Sequence, residues 1–207
     1  MAKKVLVLMG GFSAEREVSL TTGKCVCAAL KKAGYEVVSH DLQNGFELVE
    51  TLKKEKPDVV FNALHGNWGE DGEIQGFLDV LQVPYTHSGL KASVLGMDKS
   101  LTKELASENG IKVPQGEKMT FRKFKAEGTF LKMPYVVKPV SDGSSVGVYI
   151  IRKKEDAEAV RYEDDREILI EEFIDGKELT CMVLGSQAHV VTELRASDEF
   201  YDYHAKY

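Results

Sequence analysis

The sequence contains few of the residues that mark secreted or metal-binding proteins. It has only three cysteines, an odd number that does not suit a disulfide framework. Cys25 and Cys27 lie two apart in a helical pattern, so they point to different faces. No cluster of His and Cys has the spacing of a metal site. We therefore expect reduced core thiols, a cytoplasmic location and no metal ligands in this chain.

Long apolar runs and concentrated positive charge are also absent. The apolar stretch from Val5 to Met9 is too short for a signal peptide and ends in Gly10-Gly11 instead of a cleavage site. No segment approaches the ~20 apolar residues that span a bilayer. The net charge is -6, and no basic face is present that could neutralise nucleic-acid phosphates. These features predict that neither membrane nor nucleic acid is a partner.

The first part of the chain alternates between buried strand patterns and helical patterns. Residues 4–9, 36–40 and 58–64 are apolar runs that predict strands, and amphipathic segments separate them. This β-α-β-α-β order predicts a parallel sheet with right-handed crossovers. Ligands of such sheets collect at the carboxyl ends of the strands. Gly10-Gly11 and His65-Gly66 are therefore predicted to lie at the same edge.

The second part has the pattern of an antiparallel sheet. One helix is predicted from about Lys91 to Asn109. Strand patterns at 135–138 and 148–151 flank a Gly/Ser-rich segment, which predicts a hairpin. Further strands are predicted at 167–174, 178–184 and 189–194, and a loop at 198–207. The predicted fold class is α/β, with a parallel-sheet domain followed by an α+β domain.

The segment 141–147 between the two hairpin strands has the composition of a phosphate-binding loop. Its two glycines let backbone N–H groups approach oxyanions, and its serines add hydroxyl donors. It is not a Walker A loop, because no Gly-Lys-Ser/Thr opens a helix after it. In isolation, a flexible hairpin turn explains it equally well. Lys138 favours phosphate binding, since a charge that ends a buried strand needs a partner.

Five groups of residues, in one order along the chain, resemble the motifs of D-alanine–D-alanine ligases of the ATP-grasp family. They are Gly10 to Ser19, Leu64 to Gly76, Ser88-Gly89 with Met97-Asp98-Lys99, Val137-Lys138-Pro139 with Gly143 to Gly147, and Phe200 to Tyr207. The last group resembles the mobile ω-loop, where Glu is usual at the place of His204. The resemblance implies a Rossmann-like pre-ATP-grasp substrate domain at 1–90, a central ATP-grasp subdomain at 91–176 and an incomplete C-terminal subdomain at 177–207.

The resemblance also implies a reaction and roles for particular residues. Two D-alanines would be ligated at the expense of ATP through a D-alanyl phosphate, in peptidoglycan precursor synthesis. Glu15 would hold the ammonium of the first D-alanine, with His65 nearby, and Ser144 would link Glu15 to Tyr207. Lys206 would reach the transferring phosphate. Residues that would bind ATP are Lys99, Lys138, Ser144, Ser145, Gly147, Glu171, Glu172, Ile174 and Glu178.

Members of the resembled family continue for about another hundred residues, a domain-sized increment. That portion carries the ligands of Mg²⁺, so the resemblance implies a C-terminally truncated chain that is inactive alone, from a homodimeric enzyme that uses ATP and Mg²⁺. Two alternatives stay open. His204 in the ω-loop allows a D-alanine–D-lactate ligase or another ATP-grasp carboxylate–amine ligase. A gene that ended at Tyr207 would encode a non-catalytic binding module for nucleotide or D-alanine.

Overall fold

The computed structural model describes residues 2–195, which form two compact units. Among the described residues, the first unit comprises 2–105 and 141–143, and the second comprises 106–140 and 144–195. The predicted ω-loop, including His204, Lys206 and Tyr207, lies outside the described residues. The division into three parts at residues 90 and 176 stays a prediction.

The first unit is built on a three-stranded parallel sheet with the strand order β2-β1-β3. Its strands are β1 (Lys4–Gly10), β2 (Glu36–Leu42) and β3 (Val59–Asn62), and its crossover helices are α1 (Arg16–Lys32) and α2 (Gly45–Glu55). Both neighbours of β1 run parallel to it. The predicted parallel sheet is therefore confirmed.

The central strand β1 is buried on both faces, which explains its continuous apolar sequence. Leu6 and Leu8 pack into a cluster that includes Leu48 and Leu52 of α2. The alternate residues Val5, Val7 and Met9 belong to a second cluster, against which residues of α1 pack. Each face of the sheet is thus covered by apolar contacts, and the ends of its strands are left to carry polar groups.

The cysteines do not fill the core as predicted. Cys25 and Cys181 are exposed, and Cys27 is half-buried against the cluster under α1. Cys25 lies on the solvent side of α1 because two residues along a helix rotate the side chain away from its neighbour's face. The prediction of core thiols was wrong for Cys25 and Cys181. Burial raises the pKa of the Cys27 thiol above its usual value.

Three further helices follow β3, namely α3 (Glu73–Val80), α4 (Leu90–Met97) and α5 (Lys99–Glu108). The prediction of one helix over 91–109 was wrong, because Asp98 breaks it. The backbone of Asp98 is extended, and its Oδ1 accepts hydrogen bonds from the backbone N–H groups of Ser100 at 2.8 Å and Leu101 at 3.1 Å. A short acidic side chain in this position caps a new helix.

The second unit contains a four-stranded antiparallel sheet with the order β4-β7-β5-β6. Its elements are β4 (Gly116–Thr120), α6 (Phe121–Glu127), β5 (Tyr135–Pro139), β6 (Tyr149–Ile151), α7 (Lys154–Ala159) and β7 (Glu167–Glu172). The predicted hairpin of β5 and β6 is confirmed. Strands β8 (Glu178–Leu184) and β9 (Gln187–Leu194) pair antiparallel as a separate hairpin. The predicted α/β class, with the parallel sheet first and the α+β part second, is confirmed.

Gly10, the last residue of β1, leaves space for an ion pair at the edge of the sheet. Arg16 donates two parallel hydrogen bonds to the carboxylate of Asp41, at 2.8 and 2.7 Å. The φ angle of Gly10 is +83°, and a Cβ atom there would lie 2.0 Å from Asp41 Oδ1. The hydrogen bonds from Arg16 hold the pKa of the Asp41 carboxyl below its usual value. The start of α1 is thereby tied to the carboxyl end of β2.

Candidate functional site

A cavity of about 560 Å³ opens in the first unit beyond the carboxyl end of β3. The residues after β1 and β3 lie together there, since a Cβ atom on Gly11 would be 3.1 Å from Leu64 Cδ2. The predicted meeting of Gly10-Gly11 and His65-Gly66 at one edge is therefore confirmed. Polar side chains that line the cavity include Thr22, His65, Glu70, His87, Lys99 and Asp142.

Glu15 occupies the N-cap position of α1 and is buried, with 5% of its surface exposed. Ser13 does not cap this helix, because α1 begins at Arg16, after Glu15. Ser13 instead connects two loops: its hydroxyl accepts from the Glu15 N–H at 3.1 Å and donates to the His65 carbonyl at 2.7 Å. The loops that carry the two predicted substrate-binding residues are thus joined by one side chain.

Two glycines keep the surroundings of the Glu15 carboxylate open. A Cβ atom on Gly66 would lie 2.8 Å from Glu15 Oε2, and one on Gly143 would lie 3.0 Å from the same oxygen. Gly143 also lies beside Glu70, whose Oε2 would be 4.0 Å from that Cβ atom. Any other residue at either position would crowd the carboxylate. Glycine here has the same purpose as in loops that approach a ligand closely.

His65 is held on both sides of its ring. Its Nε2 lies 3.1 Å from the Thr22 hydroxyl, and its Nδ1 lies 3.8 Å from Glu70 Oε1. The interaction with Glu70 raises the pKa of His65 above its usual value, and Glu15 adds to that effect. Burial alone would raise the pKa of Glu70, but His65 and the Gly66 N–H lower it. The pair therefore favours an imidazolium beside a carboxylate.

Lys99, the first residue of α5, donates from Nζ to the backbone carbonyl of Asp142 at 2.6 Å. Asp142 belongs to residues 141–143, which are part of the first unit, and its Oδ1 is also 3.5 Å from the Asn67 amide. These three residues are the start of the segment predicted to bind phosphate. Lys99 therefore contacts the start of the predicted phosphate-binding segment within the first unit.

Lys138 of β5 has a carboxylate partner within the second unit. It forms an ion pair with Glu171 of β7, whose side chain is 5% exposed while that of Lys138 is 24% exposed. The sequence predicted that this lysine needs a partner, and in the structure the partner is Glu171, another residue predicted to bind ATP. Two predicted ATP-binding side chains are thus in contact with each other.

The remainder of the Gly/Ser segment has an unusual backbone. Ser144, Ser145 and Gly147 have φ angles of +51°, +60° and +66°. Left-handed backbone costs a non-glycine residue ~1–2 kcal/mol, and such strained residues concentrate at ligand sites. Gly147 is held by Tyr162, whose hydroxyl donates to its carbonyl. Both serines therefore adopt a left-handed conformation that is costly for residues other than glycine.

The remaining predicted nucleotide contacts follow one another along the exit of β7. The side chain of Glu172 accepts a hydrogen bond from the Gln115 backbone N–H at 2.8 Å. Ile174 is 62% exposed, and Glu178 is an exposed residue at the start of β8. Glu172 is thus held at the end of the sheet, while Ile174 presents an apolar side chain to solvent.

Sequence reasoning did not single out Thr22 and Glu70. Thr22 lies seven residues after Glu15, a spacing that places both on one face of a helix. Glu70 lies within the second motif, five residues after His65. Helical spacing from Glu15 therefore indicates Thr22, whereas the approach of Glu70 to His65 depends on a loop conformation.

Residues 2–195 contain no group of three or more His, Cys, Asp and Glu side chains arranged to hold a metal ion. Within the same described part of the chain, no helix is both long and apolar enough to cross a membrane.

Comparison with protein families matches two segments of the chain. A family model described as "D-ala D-ala ligase N-terminus" matches residues 42–88. One described as "D-ala D-ala ligase C-terminus" matches residues 105–207. The second match begins beside the boundary between the two units, which falls after Leu105.

Comparison with curated proteins and solved structures gives similar matches over nearly the whole chain. The chain is 47% identical to a D-alanine–D-alanine ligase of Parvibaculum lavamentivorans, with all of this chain and 68% of the relative covered. It is 48% identical to that of Paramagnetospirillum magneticum, again over 68% of the relative. The structure of the Bacillus anthracis D-alanine–D-alanine ligase matches with a TM-score of 0.80 and 37% identity, over 99% of this chain and 68% of that one. The same enzyme complexed with ATP also matches with a TM-score of 0.80, at 36% identity over 98% of this chain and 67% of that one.

Proposed function

The chain belongs to the D-alanine–D-alanine ligase family, and from this we propose that it binds D-alanine in its first unit and ATP in its second. The reaction joins two D-alanines in peptidoglycan precursor synthesis. The observation that supports the D-alanine site most directly is the buried Glu15, whose loop is joined through Ser13 to the loop of His65 at the edge of the parallel sheet. This edge is where ligands of parallel sheets bind.

In the first unit, the proposed ligand is the first D-alanine. Its ammonium would pair with Glu15, because a buried carboxylate gains more from a cation than an exposed one. Gly66 and Gly143 leave room beside Glu15 Oε2 for that small group. Lys99 is proposed to bind a phosphate oxygen of ATP. To do so, its Nζ would give up the hydrogen bond that it donates to the Asp142 carbonyl.

In the second unit, the proposed ligand is ATP. Lys138 would bind phosphate oxygens, while Glu171, Glu172 and Ile174 would contact the adenine. Glu178 would accept hydrogen bonds from the ribose, and the segment with Ser144, Ser145 and Gly147 would enclose the phosphates. Support comes from the strained backbone of that segment and from the Lys138–Glu171 pair.

In the proposed reaction, a carboxylate oxygen of the first D-alanine attacks the γ-phosphorus of ATP, and the bond from that phosphorus to the ADP oxygen breaks. The amine of the second D-alanine then attacks the acyl carbon, loses a proton, and expels inorganic phosphate. Proposed roles of Ser144 in linking Glu15 to Tyr207, and of Lys206 at the phosphate, involve residues beyond position 195. The described residues hold no ligand set that fits Mg²⁺.

The test of this function is whether ATP consumption depends on D-alanine. We expect the complete protein to release ADP only when D-alanine and Mg²⁺ are both present, with one D-alanyl-D-alanine formed per ADP. ADP release and dipeptide would be measured together. ADP release at an equal rate without D-alanine would refute the proposal. Supplying D-alanine and D-lactate together distinguishes the dipeptide from the ester that a D-alanine–D-lactate ligase would form.

We further propose that the protein is a cytoplasmic homodimer. The first unit presents an apolar surface suited to a second copy: Phe12 and Trp68 are 51% and 49% exposed, and their rings meet edge to face at 5.5 Å. They line an apolar pocket of about 220 Å³ with Phe77. Exposed aromatic patches of this kind mark protein interfaces.

Sedimentation equilibrium should give a dimer mass, and Trp68→Ser should shift it toward the monomer. A monomer at all concentrations would contradict the proposal.

A further inference from the structure

The loop that follows β3 brings a second carboxylate to His65. Glu70 Oε1 lies 3.8 Å from His65 Nδ1, the distance of an ion pair rather than of a direct hydrogen bond. The other oxygen, Oε2, accepts from the Gly66 N–H at 2.8 Å. Glu70 is therefore fixed by the same turn that positions His65, so the carboxylate and the ring keep their relation to each other.

The loop itself is anchored to the sheet. Asn62, the last residue of β3, donates from its side chain to the Gly69 carbonyl at 2.8 Å and accepts from the Leu64 N–H at 3.1 Å. Gln75 donates to the same Gly69 carbonyl at 2.8 Å. Both side chains are buried, with 7% and 2% exposed. Two buried hydrogen bonds to one carbonyl fix the residue that precedes Glu70.

On the other side of the ring, Thr22 of α1 completes the arrangement. Its hydroxyl lies 3.1 Å from His65 Nε2. The ring therefore has a carboxylate at ion-pair distance from Nδ1 and a hydroxyl at hydrogen-bond distance from Nε2. Contacts at both nitrogens restrict the orientation in which the ring faces the cavity.

We propose that Glu70 and Thr22 are positioning residues for the first D-alanine, which act by fixing the orientation and positive charge of His65. This inference rests on the proposed function of the cavity and adds two residues to it. With His65 charged, the carboxylates of Glu15 and Glu70 leave this part of the cavity with one net negative charge. That charge is opposite to the charge of the substrate ammonium, and the contacts with Glu70 and Thr22 hold the ring of His65 in one orientation beside it.

Other charged groups near the cavity also influence the pKa values of Glu70 and His65. His87 interacts with Glu70 and lowers the pKa of that carboxyl slightly further. Lys99 and Asp142 line the cavity as well. Because these groups stay in place when Glu70 is changed, a shift in the titration of His65 reports on Glu70 itself.

The decisive measurement is the NMR titration of the His65 ring in the complete protein without ligands. In Glu70→Gln the ring loses its carboxylate, so we expect the midpoint of titration to fall. Thr22→Val should lower it as well, because the isosteric side chain leaves the Nε2–H unpaired, whereas Thr22→Ser keeps the hydroxyl and the midpoint. Glu73→Gln, in the same stretch of chain but on the first turn of α3, should have no effect. An unchanged midpoint in Glu70→Gln would overturn the inference, whether or not D-alanine is the substrate.

Kinetics provide the second readout. We expect Glu70→Gln to raise KM for the first D-alanine about tenfold, the effect of losing one hydrogen-bond-sized interaction, with kcat nearly unchanged. The dependence of KM on pH should move to lower pH together with the NMR midpoint. A drop in kcat with an unchanged KM would overturn the inference. Melting curves of each variant exclude unfolding as the cause, and ligation by the wild type establishes the proposed function separately.

Discussion

Replacing Glu15 by Gln should lower kcat/KM for D-alanine about 10- to 150-fold, because a charge-assisted contact with the substrate ammonium is worth ~1.5–3 kcal/mol. The amide keeps the shape of the side chain and is less costly to bury than a carboxylate. Glu15 is 5% exposed, so the unfolding midpoint should stay the same or rise. Steady-state kinetics with D-alanine as the varied substrate, together with melting curves, provide the measurement.

Glu17 is the matched control for this prediction. It lies in the first turn of the same helix, α1, and is exposed. A carboxylate in the first turn stabilises a helix by only a few tenths of a kcal/mol through the helix dipole. Glu17→Gln should therefore leave kcat/KM within about twofold of the wild type. Equal losses in the two variants would show that Glu15 acts only as a first-turn charge.

Lys138→Ala should both destabilise the second unit and weaken ATP binding. The variant removes the ion partner of Glu171, a carboxylate that is 5% exposed. Removing one member of a buried pair costs ~3–5 kcal/mol, and the lost phosphate contact should raise KM for ATP about tenfold or more. Chemical denaturation and ATP kinetics measure the two effects. Unchanged ATP kinetics would assign Lys138 a structural role alone.

A double variant separates the two effects. Lys138→Met with Glu171→Gln removes both charges and keeps both side-chain volumes, so most of the lost stability should return while ATP binding stays weak. Lys118 and Glu167 form a control pair in the same sheet, 2.9 Å apart, with 36% and 58% of their side chains exposed. Lys118→Ala should cost no more than ~1 kcal/mol, because exposed pairs contribute little. Equal losses from Lys118→Ala and Lys138→Ala would contradict the assignment of a buried pair.

The parallel sheet could be predicted from sequence because burial on both faces requires a continuous run of apolar residues. Residues 5–9 of β1 are all buried, and they form an unbroken apolar run. Strand β4 has no such apolar run. It lies at the edge of its sheet, paired only with β7, and Met119 is its one buried residue. An edge strand with half-exposed polar residues lacks the alternation that identifies a strand.

The helix predicted across residues 91–109 shows a different limit. Its composition is helical throughout, but Asp98 ends one helix and caps the next. Asp competes with the helix by binding nearby backbone N–H groups with its own side chain. A single internal Asp therefore marks either a tolerated interior residue or a cap, and hydrophobic periodicity does not distinguish the two.

For the candidate site, the sequence indicated that the loops after β1 and β3 meet at one edge, but not which side chains pair there. Glu15, His65 and Lys138 were identified from their motifs. The partner of Lys138 is Glu171, which depends on the pairing of β5 with β7. The Glu70 and Thr22 contacts with His65 depend likewise on loop conformation and helix placement. Partner choice comes from tertiary structure, which local patterns do not encode.

Residues 141–143 make the first unit discontinuous in sequence, and this limits how the protein can be divided. A fragment that ended at Leu105 would omit Asp142 and Gly143, although both line the cavity of that unit. Lys99 would lose the carbonyl that it binds, and Glu15 would lose the glycine beside its carboxylate. A fragment cut at Leu105 would therefore lack part of the cavity that we propose binds D-alanine. A version for ligand titration would have to restore the tripeptide by a grafted linker.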